Sequence, residues 1–220
     1  MGTPLVVDLR ANLPDARDQG ARDTCVAFSI TCAHEAARRR QEALSEDALY
    51  WGCKTLDGNW DGGTSFDTAA NALSEHGQPE ATMWPYDLAH REGEALLLPR
   101  GVSPGGSWRR ARLEAIEPTE VAVCAALARA SVVVLGVELT LQWYVVDGTG
   151  ILAPLAGGDD MFGLHAVVAA GFDRTAGLLW IRNSWGANWA RAGYAALSSL
   201  YYRHIIEARV VPPDGLDPAR

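Results

Sequence analysis

DQGARDTCVAFS, residues Asp18 to Ser29, sets a glutamine six positions ahead of a cysteine, where an apolar run begins. A cysteine there can be core filler, a metal ligand, half of a disulfide or a nucleophile. The glutamine helps only the last role, because its side-chain amide can donate to a developing negative charge. Asp23 and Thr24 are capping residue types, and Cys25, Phe28, Cys32 and Ala36 recur at helical spacing. The pattern predicts a helix opening at the cysteine with Asp23 as its N-cap. A thiol at a helix start feels the partial positive charge of unsatisfied N–H groups, which favours the thiolate.

The rest of the 220-residue chain narrows the choice. Nineteen Lys plus Arg against 27 Asp plus Glu give a net charge of −8. That balance argues against a nucleic-acid partner, whose affinity rests on neutralised phosphates. No apolar run approaches the ~20 residues of a membrane helix, and the first residues lack the pattern of a secretory signal. Lys54 is the only lysine, a bias toward arginine expected of a GC-rich, bacterial source. The cysteines Cys25, Cys32, Cys53 and Cys124 contain no C-x-x-C pair. No metal and no cofactor is expected, and unexported thiols should be reduced, as in a cytoplasm. One thiol is then available for chemistry.

Helical signals fill the first half: SEDALYWG (residues 45–52), and SFDTAANALSEHG (65–77) with Ser65 as cap and Gly77 as stop. Residues 85–108 read as a long connection, and PTEVAVCAALARA (118–130) as one more helix with Pro118 at its start. Apolar strand-like runs follow at 131–139, 165–173, 178–185 and 203–211. Helices first and strands second predict an α+β protein of two lobes, about 10–107 and 108–210, within one domain of residues 1–210. Residues 211–220 are expected to form a flexible tail.

A nucleophilic thiol needs a base. His34 lies mid-helix, His76 precedes a helix-stopping glycine, His90 sits in a charged loop and His204 in a polar cluster. His165 instead opens an apolar strand after a Gly-rich loop, a position suited to acid/base work. Asn183, eighteen residues on, would face it if the two runs pair as antiparallel strands, fixing the ring as such a base requires. Trp185 and Trp189 could then cover that bond, although the asparagine could equally cap a turn and the tryptophans equally be core. The Gln19 amide and the Cys25 backbone N–H would form the oxyanion donors, each worth ~3–4 kcal/mol where one has been removed.

Four motifs in order, Q-G-x-x-x-x-C-x-A-F-S from Gln19, G-G at Gly62–Gly63, L-H-A-V from Leu164, and N-S-W-G-x-x-W-x-x-x-G-Y from Asn183, resemble the papain-like cysteine peptidases. The resemblance runs through about residues 5–210. It implies a helical left lobe and an antiparallel β-barrel right lobe with the active site between them. It implies Cys25 as nucleophile, His165 as general base then acid, Asn183 as orienter and Gln19 as oxyanion donor. Gly63 and the Leu164 carbonyl would hydrogen-bond an extended substrate backbone. Ser65, Leu135, Leu164 and Ala166 would line the pocket for the side chain two before the cut.

The departures carry information too. Arg22 and Trp60 stand where the family commonly has a disulfide, which fits a reducing compartment. Asp23 replaces a glycine and should favour a basic side chain before the cut. The family's prosegment is not seen, so activity would be restrained by a protein inhibitor or regulatory partner, by narrow specificity, by a lid, or not at all. GGDDMFG (157–163) is either such a lid or an ordinary acidic surface loop. The expected activity is that of a thiol endopeptidase acting on peptides or unfolded segments. A transpeptidase or ligase would share its acyl-enzyme, and a silent peptide-binding module would share its cleft.

Overall fold

Hydrophobic spacing changes period along the chain, and the elements follow it. The computed structural model describes residues 4–39, 42–153 and 161–218. In chain order they form β1 (Val6–Asp8), α1 (Cys25–Ala37), α2 (Glu46–Asp57), α3 (Phe66–Glu75), β2 (Glu114–Ile116), α4 (Glu120–Ala128), β3 (Val133–Leu139), β4 (Ile151–Leu152), β5 (Gly163–Asp173), β6 (Leu178–Arg182), β7 (Tyr194–Ser198) and β8 (Ile205–Val210). Two compact units result: a helical one, Gln19–Glu114 with Val211–Arg220, and a strand-rich one, Met1–Asp18 with Ala115–Val210.

These bounds differ from the expected 10–107 and 108–210, and the cause is backbone hydrogen bonding at both ends. β1 pairs antiparallel with β5 (Val6↔Asp173, Asp8↔Gly171), which ties the first residues to the strand-rich unit. The expected flexible tail is corrected as well. Leu216 bridges to Ala111, Arg112 N donates to Gly215 O at 2.9 Å, and the Asp217 carboxylate accepts from Arg38 Nη1 at 2.9 Å and Arg110 N at 3.0 Å.

In the helical unit, α1 is buried from Val26 through Glu35 rather than along one face. Its polar residues therefore need partners. Leu44 N donates to Glu35 Oε1 at 2.8 Å, and Gln78 Nε2 donates to Thr31 Oγ1 and Ser45 O. With both amide protons so used, Gln78 Oε1 accepts from His34 Nδ1 at 2.9 Å. Ser45 and Ser65 cap α2 and α3, accepting from Ala48 N and Thr68 N. α4 is capped by Thr119, so Pro118 lies one residue before the cap and not inside the helix.

The strand-rich unit has the order β2-β8-β3-β5-β6-β7-β4, with β1 on β5. All the pairs with a defined register are antiparallel except β4, which joins β7 in parallel (Ile151↔Ala196). β3 and β5, central in this order, read as near-continuous buried runs, and α4 packs on both. β1, β2, β4 and β7 were not read from the sequence; β1, β2 and β4 have two or three residues each, too short for a period. Of the GGDDMFG loop, residues 157–160 lie outside the described residues.

The His34 pair has a measurable consequence. Burial pushes the His34 pKa down from 6.5 to about 4, and its Nε2 has no hydrogen-bond partner among the described residues. The folded state thus prefers neutral His34: its stabilisation is complete above pH 6.5 and is lost as pH falls toward 4. Urea unfolding of the His34→Gln protein should lose about 2 kcal/mol less between about pH 7.5 and about pH 5 than the native chain does. Equal losses would show that His34 is not the titrating group.

Candidate active site

Each unit carries its own part of the chemistry. In the helical unit Cys25 is the first residue of α1 and half-buried, at the end of the helix that carries partial positive charge. The cap is not Asp23 as expected. Thr24 occupies the N-cap position and makes no side-chain capping bond. Its hydroxyl is engaged elsewhere, 2.9 Å from Tyr86 Oη, which itself donates to Gln19 O at 2.6 Å. Gln19 Nε2 donates to Arg22 O at 2.7 Å, so its amide is oriented by the chain it precedes. Gln19 is therefore held at backbone and side chain, with only 7 % of its surface exposed.

Arg22, placed where the family commonly has a disulfide, forms another kind of tie. Its Nη2 donates to Asp47 Oδ1 at 2.6 Å, with the two side chains 3 % and 0 % exposed. The guanidinium lies 4.1 Å from the Tyr86 ring centre, and Asp47 Oδ2 accepts from Asp87 N at 3.0 Å. Burial raises the Asp47 carboxyl above its ordinary value, an effect that Arg22 opposes. No disulfide joins any of the four cysteines.

Asp23 is exposed, and its backbone N–H donates to Glu92 Oε2 at 2.9 Å. Partial burial and the Glu92 charge raise the Asp23 pKa, while Lys54 opposes them. Gly62 adopts φ +67°, which favours glycine, and Gly63 beside it is exposed. Ser65 Oγ, beyond capping α3, donates to Thr68 Oγ1 at 3.0 Å.

In the strand-rich unit the register of β5 and β6 brings His165 to Asn183: Nε2 and Oδ1 are 2.7 Å apart. The Ser184 backbone N–H, which can only donate, meets the same Oδ1 at 2.8 Å. The amide must therefore present oxygen, so His165 Nε2 carries the proton and Nδ1 keeps its lone pair. Asn183 N in turn donates to Gly193 O at 2.9 Å. Gly193 has φ +83°, and an added Cβ would fall 2.2 Å from Ala16 Cβ, so the motif's second glycine is fixed by packing.

Aromatic rings cover the pair. Trp185 lies 4.9 Å from His165, centre to centre, and stacks on Tyr144 at 5.3 Å. Trp143 closes on His165 edge-to-face at 6.0 Å and stacks on Trp189, whose Nε1 donates to the Trp143 carbonyl at 2.9 Å. Burial lowers the His165 pKa from 6.5 to about 4, with the Asn183 hydrogen bond opposing it. Neutral imidazole, a base, is the resting form at neutral pH wherever no anion adjoins it.

Sequence reasoning missed Trp143, Tyr86 and Glu92. Trp143 lies in a one-turn 3-10 segment and Tyr86 and Glu92 in an irregular connection, where no periodicity marks a side chain's direction. The pocket set needs one correction. Gly136, not Leu135, stands opposite Ala166 in the β3–β5 register, while Leu135 pairs with Val167 and is fully buried. A one-residue slip reverses the face in a strand, which puts Leu135 on the side away from Ala166. Leu164 is 62 % exposed and Ala166 1 %.

Comparison with known proteins supplies a family and a fold. A family model described as papain family cysteine protease matches residues 3–211. Cathepsin K of Gallus gallus is 27 % identical over 205 residues, covering 89 % of this chain; the chain spans 59 % of that protein's length. Among solved structures, xylellain, a cysteine protease from Xylella fastidiosa, superposes with a TM-score of 0.80 at 22 % identity, over 96 % of this chain and 86 % of that one. A cysteine protease of Carica candamarcensis, solved in complex with E-64, gives 0.70 at 20 % identity, over 94 % and 97 %. The likeness to these structures is one of fold: papain-like, α+β.

The Arg22–Asp47 tie is testable by itself. Asp47→Asn or Arg22→Met leaves one buried partner uncompensated and should cost about 3–5 kcal/mol in denaturant unfolding. A loss near zero would mean that the pair does not brace the Gln19 segment.

Proposed function

Since the chain belongs to the papain family of cysteine proteases, we propose that it is a cysteine peptidase with Cys25 as nucleophile and His165 as its general base. The observation that carries this reading is the doubly anchored Asn183 oxygen, which leaves His165 Nδ1 as the proton acceptor. The Cys25 proton passes to Nδ1, giving a thiolate–imidazolium pair, and Sγ then adds to the substrate carbonyl. The oxyanion is met by the Gln19 amide and the Cys25 backbone N–H. His165 then protonates the leaving amine, and an acyl-enzyme remains. Water, deprotonated by the same nitrogen, attacks that thioester; the C–S bond breaks, the acid is released, and the Cys25 thiolate is left beside the protonated imidazole.

Each assigned group has a physical preparation. The start of α1 favours the Cys25 thiolate, and the buried imidazole gains its proton only against an adjacent anion. Asn183 orients the ring without moving a proton, and Trp185 excludes water from that bond. Gly63 and the Leu164 carbonyl would each take part of an extended substrate backbone, and Ser65 from the helical unit and Gly136, Leu164 and Ala166 from the strand-rich unit would contact the substrate side chain two before the cut. Asp23, beside the Glu92 carboxylate, would favour a basic residue before the cut. Four cysteines without a disulfide suit a reducing compartment, and we place the protein in one, the cytoplasm.

The decisive experiment combines labelling with turnover. A peptidyl epoxide should label Cys25 and not Cys25→Ser, and a peptide-library digest should show cuts that the Cys25→Ala protein does not make. Arginine before the cut should be preferred, and less so in Asp23→Gly. His165→Ala should lower kcat/KM by about 10³-fold or more, and Asn183→Ala by about 10- to 100-fold. The native pH profile should be bell-shaped, reporting the thiol–imidazole pair jointly. Equal labelling of Cys25 and Cys32, or a profile with a single rising limb, would contradict the assignment.

A further inference from the structure

Tyr50, Lys54 and Asp57 occupy positions i, i+4 and i+7 of α2 and so share one face. That face holds the segment 61–65. The Lys54 ammonium, 1 % exposed, donates to the carbonyls of Asp61 (2.9 Å), Gly62 (3.3 Å) and Gly63 (3.0 Å). The Tyr50 hydroxyl lies 2.9 Å from Gly62 O and 3.1 Å from Glu92 Oε1. The Asp57 carboxylate accepts from Thr64 Oγ1 and Thr68 Oγ1, both at 2.9 Å, and lies 3.6 Å from Nζ.

The residue type is telling. Every other cationic position in this chain except the histidines is arginine, yet lysine stands where three carbonyls converge. Three convergent acceptors suit a compact ammonium with three donors and do not suit a planar guanidinium fork. Burying a charge this deeply is costly unless its donors are satisfied, so segment 61–63 and Lys54 hold each other in place.

We propose that Lys54 is a positioning residue for the substrate backbone. It fixes and polarises the peptide between Gly62 and Gly63, so that the Gly63 N–H is presented as a strong donor. A carbonyl that accepts from a cation strengthens donation from the N–H of its own peptide unit. Among the described residues no backbone acceptor takes the Gly63 N–H. The outer face is open: a Cβ added at Gly63 would meet only ordinary contacts, 3.5 Å from Asp23 O and 3.9 Å from Asp23 Cβ. Packing does not require glycine there, whereas an approaching strand does. The proposal rests on the peptidase reading only for what docks at this edge.

The test compares the native chain with Lys54→Met, Lys54→Arg and Tyr50→Phe. Three measurements are made: amide exchange of residues 61–64, alkylation of Cys25 by iodoacetamide, and the split of KM and kcat on an N-acyl dipeptidyl coumarin amide. Lys54→Met should speed exchange in 61–64 and raise KM, each by about tenfold, while alkylation and kcat change by less than about threefold. Lys54→Arg should behave alike, since its fork cannot reach three convergent carbonyls, and Tyr50→Phe should raise KM about threefold. If Lys54→Met does not fold, the KM values of the other two variants decide. Unchanged KM, or equal losses in KM, kcat and alkylation, would overturn the proposal, the latter marking a merely structural lysine. Should the native chain show no turnover, the peptidase reading fails separately. Calorimetric binding of the N-acyl dipeptide amide to Cys25→Ala, with and without Lys54→Met, then replaces KM. About tenfold weaker binding sustains the proposal, and equal or absent binding ends it.

Discussion

The 2.7 Å hydrogen bond from His165 Nε2 to Asn183 Oδ1 is the constraint on which the strand-rich unit is organised. It decides which imidazole nitrogen holds the proton, and therefore which one can take another. The Ser184 N–H fixes the amide, the Gly193 carbonyl fixes the Asn183 backbone, and the β5–β6 register sets the distance. Aromatic rings from Trp143, Tyr144, Trp185 and Trp189 keep water from the arrangement. Burial lowers the basicity of His165, so its protonation is favourable only beside an anion. A thiolate formed by proton transfer is such an anion.

The helical unit solves the matching problem with charge and hydrogen bonds in place of covalent links. Arg22–Asp47 braces the turn behind Gln19, the Gln78 amide connects Thr31 and His34 of α1 with Ser45, and Lys54 secures residues 61–63. Each centres on a buried polar side chain held by specific partners, so each is sensitive to removal of one member. Such ties do not depend on an oxidising compartment, which accords with four thiols in the reduced state.

Much of this was legible in the sequence because the relevant signals are local. Ser45 and Ser65 announce α2 and α3, the apolar runs announce β3, β5, β6 and β8, and the eighteen-residue spacing of His165 and Asn183 matches two adjoining strands. Signals were lost where long-range partners decide. Asp23 yielded the cap position to Thr24, Leu135 had the right strand and the wrong face, and the tail from Val211 found Ala111 and Arg112 to pair with. Trp143, Tyr86 and Lys54 act through loops and turns, which carry no period.

The central claim is that His165 sets the ionisation of Cys25, and the pH dependence of Cys25 alkylation tests it most directly. Cys53 gives no background, since burial pushes its thiol up to about 12. In the native chain the alkylation rate should persist well below the ordinary thiol pKa of about 8.5, and in His165→Ala its inflection should return to about that value. The same inflection in both proteins would contradict the account.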